Sequence, residues 1–198
     1  MDIGNPLEIM FNNQQEVDFL RANLKPTDTV LEWGSGGSTL EIAKRVHRLF
    51  SIEHDFNWVQ KVRPLLPGNA SLSYIPRNQE EKPGDDGTYE DYKDYIKFPM
   101  VLLKRPGIPP SDFEKLKWNN KPYNLHYLQP DVIFIDGRAR VECARVAARL
   151  LAPGGIILIH DYRNPTEKYR RYEYEVVEQF LDCVEGAYAL WKFKPKET

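Results

Sequence analysis

A short apolar run that ends on a carboxylate and passes directly into glycines constrains the fold of this chain more than any other feature. It reads TVLEWGSGGSTL over residues 29–40, and apolar positions at helical spacing follow it through residue 46. Glycines permit a sharp turn and a close approach of a ligand to the backbone because they lack a Cβ atom. Ser38 and Thr39 are candidates to cap the helix, whose amino end would face a bound group. The stretch therefore predicts a strand, a tight loop and a helix around a ligand at the end of a parallel strand.

The same alternation of strand and helix continues along the chain. Apolar runs typical of strands occur at residues 48–55, 71–76, 131–137, 156–162 and 188–193. Helical patterns separate or flank them, at residues 14–24, 56–62, 138–151 and 172–181. Repeated alternation of this kind predicts an α/β protein with a doubly wound, mainly parallel sheet and helices on both faces, formed as one domain by residues 1–198.

Composition and charge argue against nucleic acid and membranes as partners of this chain. The chain has 198 residues and a formal net charge of -2, so it lacks the basic surplus of a nucleic-acid binder, and no nucleic-acid partner is expected. It contains no apolar run of membrane-spanning length and no signal peptide at its start, so no membrane association is expected. The two cysteines lie far apart and are typical of reduced thiols. We therefore expect a cytoplasmic protein, whose oligomeric state these features do not determine.

Residues 79–130 interrupt the alternation. This segment is rich in proline, tyrosine and tryptophan, and includes Tyr92 and Tyr95 in a helical pattern. A compact fold rarely carries so long an irregular segment unless it is a lid or a binding loop, and its aromatic content argues against disorder. We predict an inserted substrate cap in which Tyr92 and Tyr95 contact the acceptor. The alternative, that these aromatics only attach the insertion to the core, stays open.

The spacing within the glycine loop indicates the kind of ligand. It is E-x-G-x-G-G, not the dinucleotide pattern G-x-G-x-x-G, and it has no phosphate-binding lysine. A carboxylate at the strand end would repel a pyrophosphate and would suit an ammonium group. The loop resembles motif I of the class I S-adenosylmethionine-dependent methyltransferases. That resemblance implies S-adenosyl-L-methionine as cofactor, with a site lined by Glu32, Gly34, Ser35 and Gly36 and flanked by Ser38 and Thr39. A tight turn that binds nothing is the alternative.

Two further strand ends extend the predicted cofactor site. Glu53 follows the loop at close to the roughly 20 residues that separate such a loop from the acidic residue on the ribose. We expect Glu53 to bind the ribose hydroxyls, with His54 beside it and Asp55 as the cap of the next helix. The alternative is that these acids only begin that helix. Asn78 follows the third strand where the resembling family contacts the adenine, although the common acidic residue is absent there.

The resemblance extends to two later strands. Phe134-Ile135-Asp136-Gly137 ends one strand, and Ile159-His160-Asp161-Tyr162 ends the next after Pro153-Gly154-Gly155. This combination resembles O-methyltransferases of sugars, natural products and catechols. It implies a Rossmann-like, doubly wound, mainly parallel seven-stranded sheet with the cap inserted before the fourth strand, and a cofactor contact from Asp136.

In the metal-dependent members of that family, carboxylates at these two strand ends hold a divalent cation. Asp136 and Asp161 match those positions, so the resemblance implies Mg²⁺, Mn²⁺ or Ca²⁺, which would lower the pKa of the acceptor hydroxyl. The sequence departs from the family pattern at Arg138 and Arg140, which follow the glycine. These arginines could replace the metal as positive charge or bind an acidic substrate.

His160 is the first candidate for the general base, since a neutral imidazole accepts a hydroxyl proton near pH 7. Asp136 and Asp161 are the alternatives, and His160 could instead be a histidine held only by hydrogen bonds. Arg138 and Tyr162 are predicted to join Tyr92 and Tyr95 as acceptor contacts.

The sequence therefore predicts an S-adenosylmethionine-dependent O-methyltransferase, and we favour a sugar or glycan hydroxyl as acceptor because of the aromatic cap and the likeness of the strand ends to glycan-associated enzymes. A small-molecule enzyme acting on phenols or catechols, a protein methyltransferase, and a cofactor-binding module without catalysis remain alternatives. A nicotinamide-dependent oxidoreductase is disfavoured by Glu32 and by the loop spacing.

Overall fold

The computed structural model describes residues 9, 11, 13–79, 89–103, 128–163 and 174–196. Most of the predicted cap, residues 80–88 and 104–127, lies outside the described residues. The cap as a whole therefore stays a prediction.

Seven strands form one sheet. They are β1 (Thr29–Trp33), β2 (Arg48–Glu53), β3 (Ala70–Tyr74), β4 (Val132–Ile135), β5 (Ile156–Ile159), β6 (Leu181–Ala187) and β7 (Leu190–Pro195). Their order across the sheet is β3-β2-β1-β4-β5-β7-β6. The first five of these neighbours pair in parallel, whereas β7 is antiparallel to both β5 and β6. The predicted mainly parallel, seven-stranded, Rossmann-like fold is confirmed.

Helices cover both faces of this sheet. They are α1 (Gln14–Ala22), α2 (Gly37–Ala43), α3 (Phe56–Val62), α4 (Tyr89–Lys97), α5 (Pro99–Leu102) and α6 (Arg140–Leu150), with 3₁₀ turns at Arg63–Leu65 and Glu175–Gln179. On one face, α1 and α2 pack on the apolar cluster that contains Val30 and Phe134. On the other face, α4 and α6 pack on the cluster that contains Leu31 and Ile133. Alternate residues of each strand thus point into two separate cores. In the described part of the chain, no helix combines the length and apolar character needed to cross a membrane.

The carboxyl-terminal hairpin departs from the sequence prediction. A helix was expected over residues 172–181, but the described residues show only the short 3₁₀ turn, and Leu181 begins β6. Most of β6 is exposed or half-buried at the edge of the sheet, so it carries no apolar run that would mark it as a strand. It is recognised only through its antiparallel pairing with β7, in which Cys183 lies opposite Phe193.

Strand order places the ligand-binding edge. In the sheet, β2 and β3 lie on one side of β1, and β4 and β5 lie on its other side. In open α/β sheets, ligands bind at the carboxyl ends of the strands where this order reverses. The loops after β1, β2 and β4 meet at that edge.

Candidate active site

A cavity of about 300 Å³ opens at this edge of the sheet, at the lower end of the roughly 300–1,000 Å³ typical of small-molecule sites. Eight of the residues predicted for the site line it: Gly34, Ser35, Gly36, Ser38, Glu53, His54, Asp136 and Arg138. Sequence analysis did not place four others there: Phe11, Gly37, Trp58 and Gly137. Arg140, which it offered as a replacement for the metal or as a contact of an acidic substrate, lines the cavity as well. Since these come from the N-terminal segment, α2, α3 and the loop that opens α6, only the folded chain brings them together.

Two glycines let the loops after β1 and β4 touch. Gly34 adopts φ +91°, and a Cβ atom added to it would lie 2.5 Å from the backbone nitrogen of Gly137. Its own N–H donates to the carbonyl of Ile52 at 2.9 Å, which joins the loop to β2. The first glycine of the motif is therefore required by the close approach of three strand ends.

Glu53 lies at the cavity as a tightly held carboxylate. Its Oε2 accepts from the backbone N–H and the hydroxyl of Ser35, at 2.6 and 3.1 Å, and its Oε1 accepts from the N–H groups of His54 and Asp55, at 2.7 and 2.8 Å. Burial alone would raise the pKa of Glu53, but the neighbouring His54 and these backbone donors outweigh it and lower the pKa below its ordinary value. The predicted cap is confirmed next to it, because Asp55 accepts from the N–H of Asn57 at 2.7 Å.

Glu32 does not line the cavity, which corrects its predicted contact with the cofactor ammonium. It is fully buried, and its two oxygens accept from the hydroxyls of Ser38 and Ser51 at 2.9 and 2.6 Å. Burial raises the pKa of Glu32 to about 7, although these hydrogen bonds oppose the rise. Its described contacts join the glycine loop to β2.

We expect Glu32→Gln to change the pH dependence of stability. Because folding raises the pKa of Glu32 from 4.5 to about 7, the folded protein binds more protons than the unfolded chain in that window, and the parent loses stability as pH rises through it. Glutamine resembles the protonated form, so the variant should gain about 3 kcal/mol on the parent between pH 4 and pH 8. Urea unfolding at the two pH values measures this, with exposed Glu90→Gln as control. Parallel pH profiles for parent and Glu32→Gln would contradict it.

The helix cap and two predicted cofactor contacts have different outcomes. The predicted cap of α2 is confirmed for Thr39, whose hydroxyl accepts from the N–H of the N-cap residue Gly36 at 2.9 Å, whereas the Ser38 hydroxyl donates to Glu32. Thr39 is fully buried and lies away from the cavity lining. Asn78 is also away from it, because its side-chain amide donates to Asp94 of α4 at 2.6 Å. The adenine contact predicted for Asn78 is therefore not supported.

The predicted acceptor contacts of three tyrosines do not fit their burial. Tyr92 and Tyr95 are 1% and 0% exposed, and their rings meet the His54 ring edge-on at centroid distances of 5.3 and 5.5 Å. Tyr162 is also fully buried, and its hydroxyl donates to Glu178. Side chains so enclosed present no surface to an acceptor. Tyr92 and Tyr95 instead attach α4 to the core behind the cavity, which is the alternative left open by the sequence.

His160 lies among carboxylates from three parts of the chain. Its Nδ1 is 2.8 Å from Asp136 and 3.7 Å from Asp161, its Nε2 is 3.4 Å from Glu16, and its ring stacks on Phe11 at a centroid distance of 4.6 Å. Burial would lower the pKa of His160, but the carboxylates outweigh it and raise the pKa to about 10. The imidazole is thus charged at neutral pH. A base must be neutral before it accepts a proton, so this pKa argues against the general-base role of His160, which stays a prediction.

Arg140 neutralises the two strand-end carboxylates. Its guanidinium donates to Asp161 Oδ2 at 2.9 Å and approaches Asp136 Oδ1 at 3.4 Å. It also donates to the backbone carbonyls of His160 and Gly137, each at 3.0 Å. Burial would lower the pKa of Arg140, but Tyr174 and the two aspartates raise it above its ordinary value.

The residues present do not fit the predicted divalent cation. Ligand atoms of Asp136, His160 and Asp161 do lie within 4.8 Å of one another, as a metal site requires. However, both carboxylates are already paired with Arg140, and Asp136 is also bonded to the charged His160. A metal ion would have to displace a guanidinium and meet a second cation. The metal role of Asp136 and Asp161 is therefore corrected.

Asp136 is the carboxylate that can face a ligand. All of its side-chain partners among the described residues are bound through Oδ1, which leaves Oδ2 as an acceptor. The residue lines the cavity, and 24% of its side chain is exposed. Asp161 is not among the lining residues, so the two aspartates have different positions. Arg138, half-buried, lines the cavity as predicted.

Comparison with known proteins identifies the fold. No protein-family model and no curated protein matches the sequence. A methyltransferase-like protein from Silicibacter pomeroyi shares 22% identity at a TM-score of 0.64, over 97% of this chain and 90% of that one. The N-methyltransferase NodS from Bradyrhizobium japonicum, in complex with S-adenosyl-L-homocysteine, shares 15% identity at a TM-score of 0.51, over 94% and 90%. The precorrin-6y C5,15-methyltransferase of Geobacter metallireducens shares 13% identity at 0.52, over 100% and 95%. The chain has the fold that these proteins share.

Proposed function

We propose that this protein binds S-adenosylmethionine and transfers its methyl group to a hydroxyl. The observation that carries the proposal is the ionised carboxylate of Glu53, held at the edge of a cavity whose floor is the Gly34–Gly137 contact. This is the arrangement that a ribose and a close-lying backbone require. The shared fold supports it, since the solved NodS structure contains S-adenosyl-L-homocysteine.

The cavity offers suitable groups for the ribose and the purine of that cofactor. Glu53 can accept from the ribose hydroxyls if the Ser35 hydroxyl, its weaker partner at 3.1 Å, turns away. His54 and Trp58 line the same cavity and supply aromatic surface for a purine. Gly36 contributes open backbone, because nothing lies within 4 Å of the position its Cβ would occupy.

Methyl transfer requires little more than correct placement and a destination for one proton. S-adenosylmethionine, when bound, supplies a methyl group on a positively charged sulfur, which keeps the bonding electron pair as the new oxygen–carbon bond forms. Asp136 Oδ2 can accept the hydroxyl proton of the acceptor, while His160 and Arg140 hold Oδ1. Exclusion of water by Phe11 and fixed geometry would supply much of the rate.

For the acceptor we favour a sugar or glycan hydroxyl. The support is the aromatic composition of residues 104–127, which lie outside the described residues, and the charged Arg138 at the cavity. Phenols, catechols and protein side chains remain alternatives, and NodS is itself an N-methyltransferase. A module that only binds the cofactor is a further alternative. It is distinguished by Asp136→Asn, which should keep cofactor affinity and lose turnover if the protein is an enzyme.

Titration calorimetry with S-adenosylmethionine, S-adenosylhomocysteine and NAD tests the cofactor. We expect micromolar binding of the first two and none of NAD. Glu53→Gln should weaken binding by about 10- to 100-fold, because the charge-assisted hydrogen bond to the ribose is lost. Glu90→Gln, an exposed glutamate of α4, serves as control, and thermal unfolding verifies that both variants are folded.

Two results would refute these assignments. If neither S-adenosylmethionine nor S-adenosylhomocysteine binds the parent protein, the methyltransferase proposal fails, and the likeness to the solved methyltransferases is one of fold alone. If Glu53→Gln binds as tightly as the parent, the cofactor stays but the ribose assignment is wrong.

A further inference from the structure

We propose that the guanidinium of Arg140 is the permanent cation of the Asp136–Asp161 pair, so that this protein holds its two strand-end carboxylates without a divalent metal. The role of this ion pair in catalysis rests on the proposed function, but the test of the ion pair itself needs neither cofactor nor acceptor. It identifies Arg140 as a positioning residue for Asp136.

Geometry places Arg140 where a metal would be shared. Asp136 and Asp161, which end adjacent strands, offer oxygens that a single ion could bind together with His160. The Arg140 guanidinium contacts one oxygen of each carboxylate, at 3.4 and 2.9 Å. It therefore occupies the bridging role between the two aspartates.

The backbone holds Arg140 in that position. The donors of a guanidinium lie in one plane, and here they reach the carbonyls of Gly137 and His160 as well as the two carboxylates. The Tyr174 ring lies 5.9 Å from the guanidinium carbon. Only 10% of the side chain is exposed. A metal ion could displace this side chain only by breaking these hydrogen bonds.

The two aspartates already have cationic partners without an additional ion. Three carboxylates, Glu16, Asp136 and Asp161, face two cationic side chains, Arg140 and His160. Arg138, a third basic residue, lines the adjacent cavity. A divalent cation would therefore have to compete with the cationic side chains that these aspartates already pair with, whereas loss of Arg140 would leave more negative charge uncompensated.

Removal of the guanidinium should create a metal site. Free Mn²⁺ is measured by electron paramagnetic resonance during titration of the apoprotein at pH 7.5. The parent should bind no more Mn²⁺ than Asp161→Asn does. Arg140→Gln, which keeps hydrogen-bond donors for the carbonyls, and Arg140→Ala should each bind at least about tenfold more tightly than the parent. Adding Asp161→Asn to either variant should abolish the gain in Mn²⁺ affinity. Mn²⁺ should raise the melting temperature of the Arg140 variants, but not that of the same variants with Asp161→Asn added.

Two outcomes would overturn the proposal. The first is Mn²⁺ binding by the parent that Asp161→Asn removes, and this is decisive even if both Arg140 variants unfold. The second is a folded Arg140 variant that binds Mn²⁺ no more tightly than the parent. Both outcomes are independent of calorimetry with S-adenosylmethionine, so failure here and failure of the proposed function are distinguishable.

Discussion

Gly34→Ala is expected to destabilise the protein by about 3–5 kcal/mol and to abolish measurable cofactor binding. Gly34 has a φ of +91°, which an alanine rarely adopts, and the new Cβ would lie 2.5 Å from the nitrogen and 2.7 Å from the Cα of Gly137. Both neighbours are backbone atoms, so no side chain can rotate away to relieve the overlap. The loops after β1 and β4 would have to separate, and the cavity floor would change.

Gly36→Ala is the matched control within the same loop. Gly36 has an extended φ of 178°, and nothing lies within 4 Å of an added Cβ atom. Its effect on stability should stay within about 1 kcal/mol. Urea unfolding measures both variants, and calorimetry with S-adenosylhomocysteine measures binding. Equal stability of Gly34→Ala and Gly36→Ala would show that the contact between the two loops is not tight in solution.

His160→Gln is expected to cost about 3–5 kcal/mol at pH 7, because it removes a buried cation from Glu16, Asp136 and Asp161. The stabilisation by His160 depends on pH. Folding raises the pKa of His160 from 6.5 to about 10, so its contribution is complete below pH 6.5 and is lost as pH rises through about 10. The stability difference between parent and variant should therefore shrink between pH 7 and pH 10.

Urea unfolding at pH 6, 8 and 10 measures this difference. His47→Gln, at an exposed histidine, should leave the stability nearly unchanged at each pH. A difference between parent and His160→Gln that stays constant from pH 6 to pH 10 would mean that His160 is neutral throughout and packs only as a ring. In that case its pKa would no longer argue against a role as general base.

Local patterns were sufficient for much of the fold and for the residues at the ends of β1 and β2 that line the cavity. The strands that end at Trp33 and Glu53 carry both an apolar run and a polar end, so the position of Gly34 and Glu53 follows from their place in the chain. The strand β6 was missed because an edge strand with mostly exposed side chains has no such run. The adenine contact predicted for Asn78 is not supported, because its side-chain amide donates to Asp94 of α4, a contact that the sequence does not indicate.

Burial and charge determine which of the predicted site residues line the cavity and in which protonation state they occur. Tyr92 and Tyr95 have the composition of a binding surface, but they face the core because α4 packs against the sheet. His160 has the intrinsic pKa of a base, but Glu16 from the first helix and Asp136 from another strand end lie beside it. Neither effect is encoded within a few residues of the side chain concerned.

By itself the sequence determined the alternation of strands and helices, the glycine loop and the carboxylates at the strand ends, because these depend on backbone periodicity and on residues adjacent in the chain. Tertiary structure alone decided that Arg140 pairs with Asp136 and Asp161, that His160 is charged and that Glu32 is buried away from the cavity. The physical reason is that protonation and ion pairing depend on the distance and burial of charges in space, which chain order does not specify.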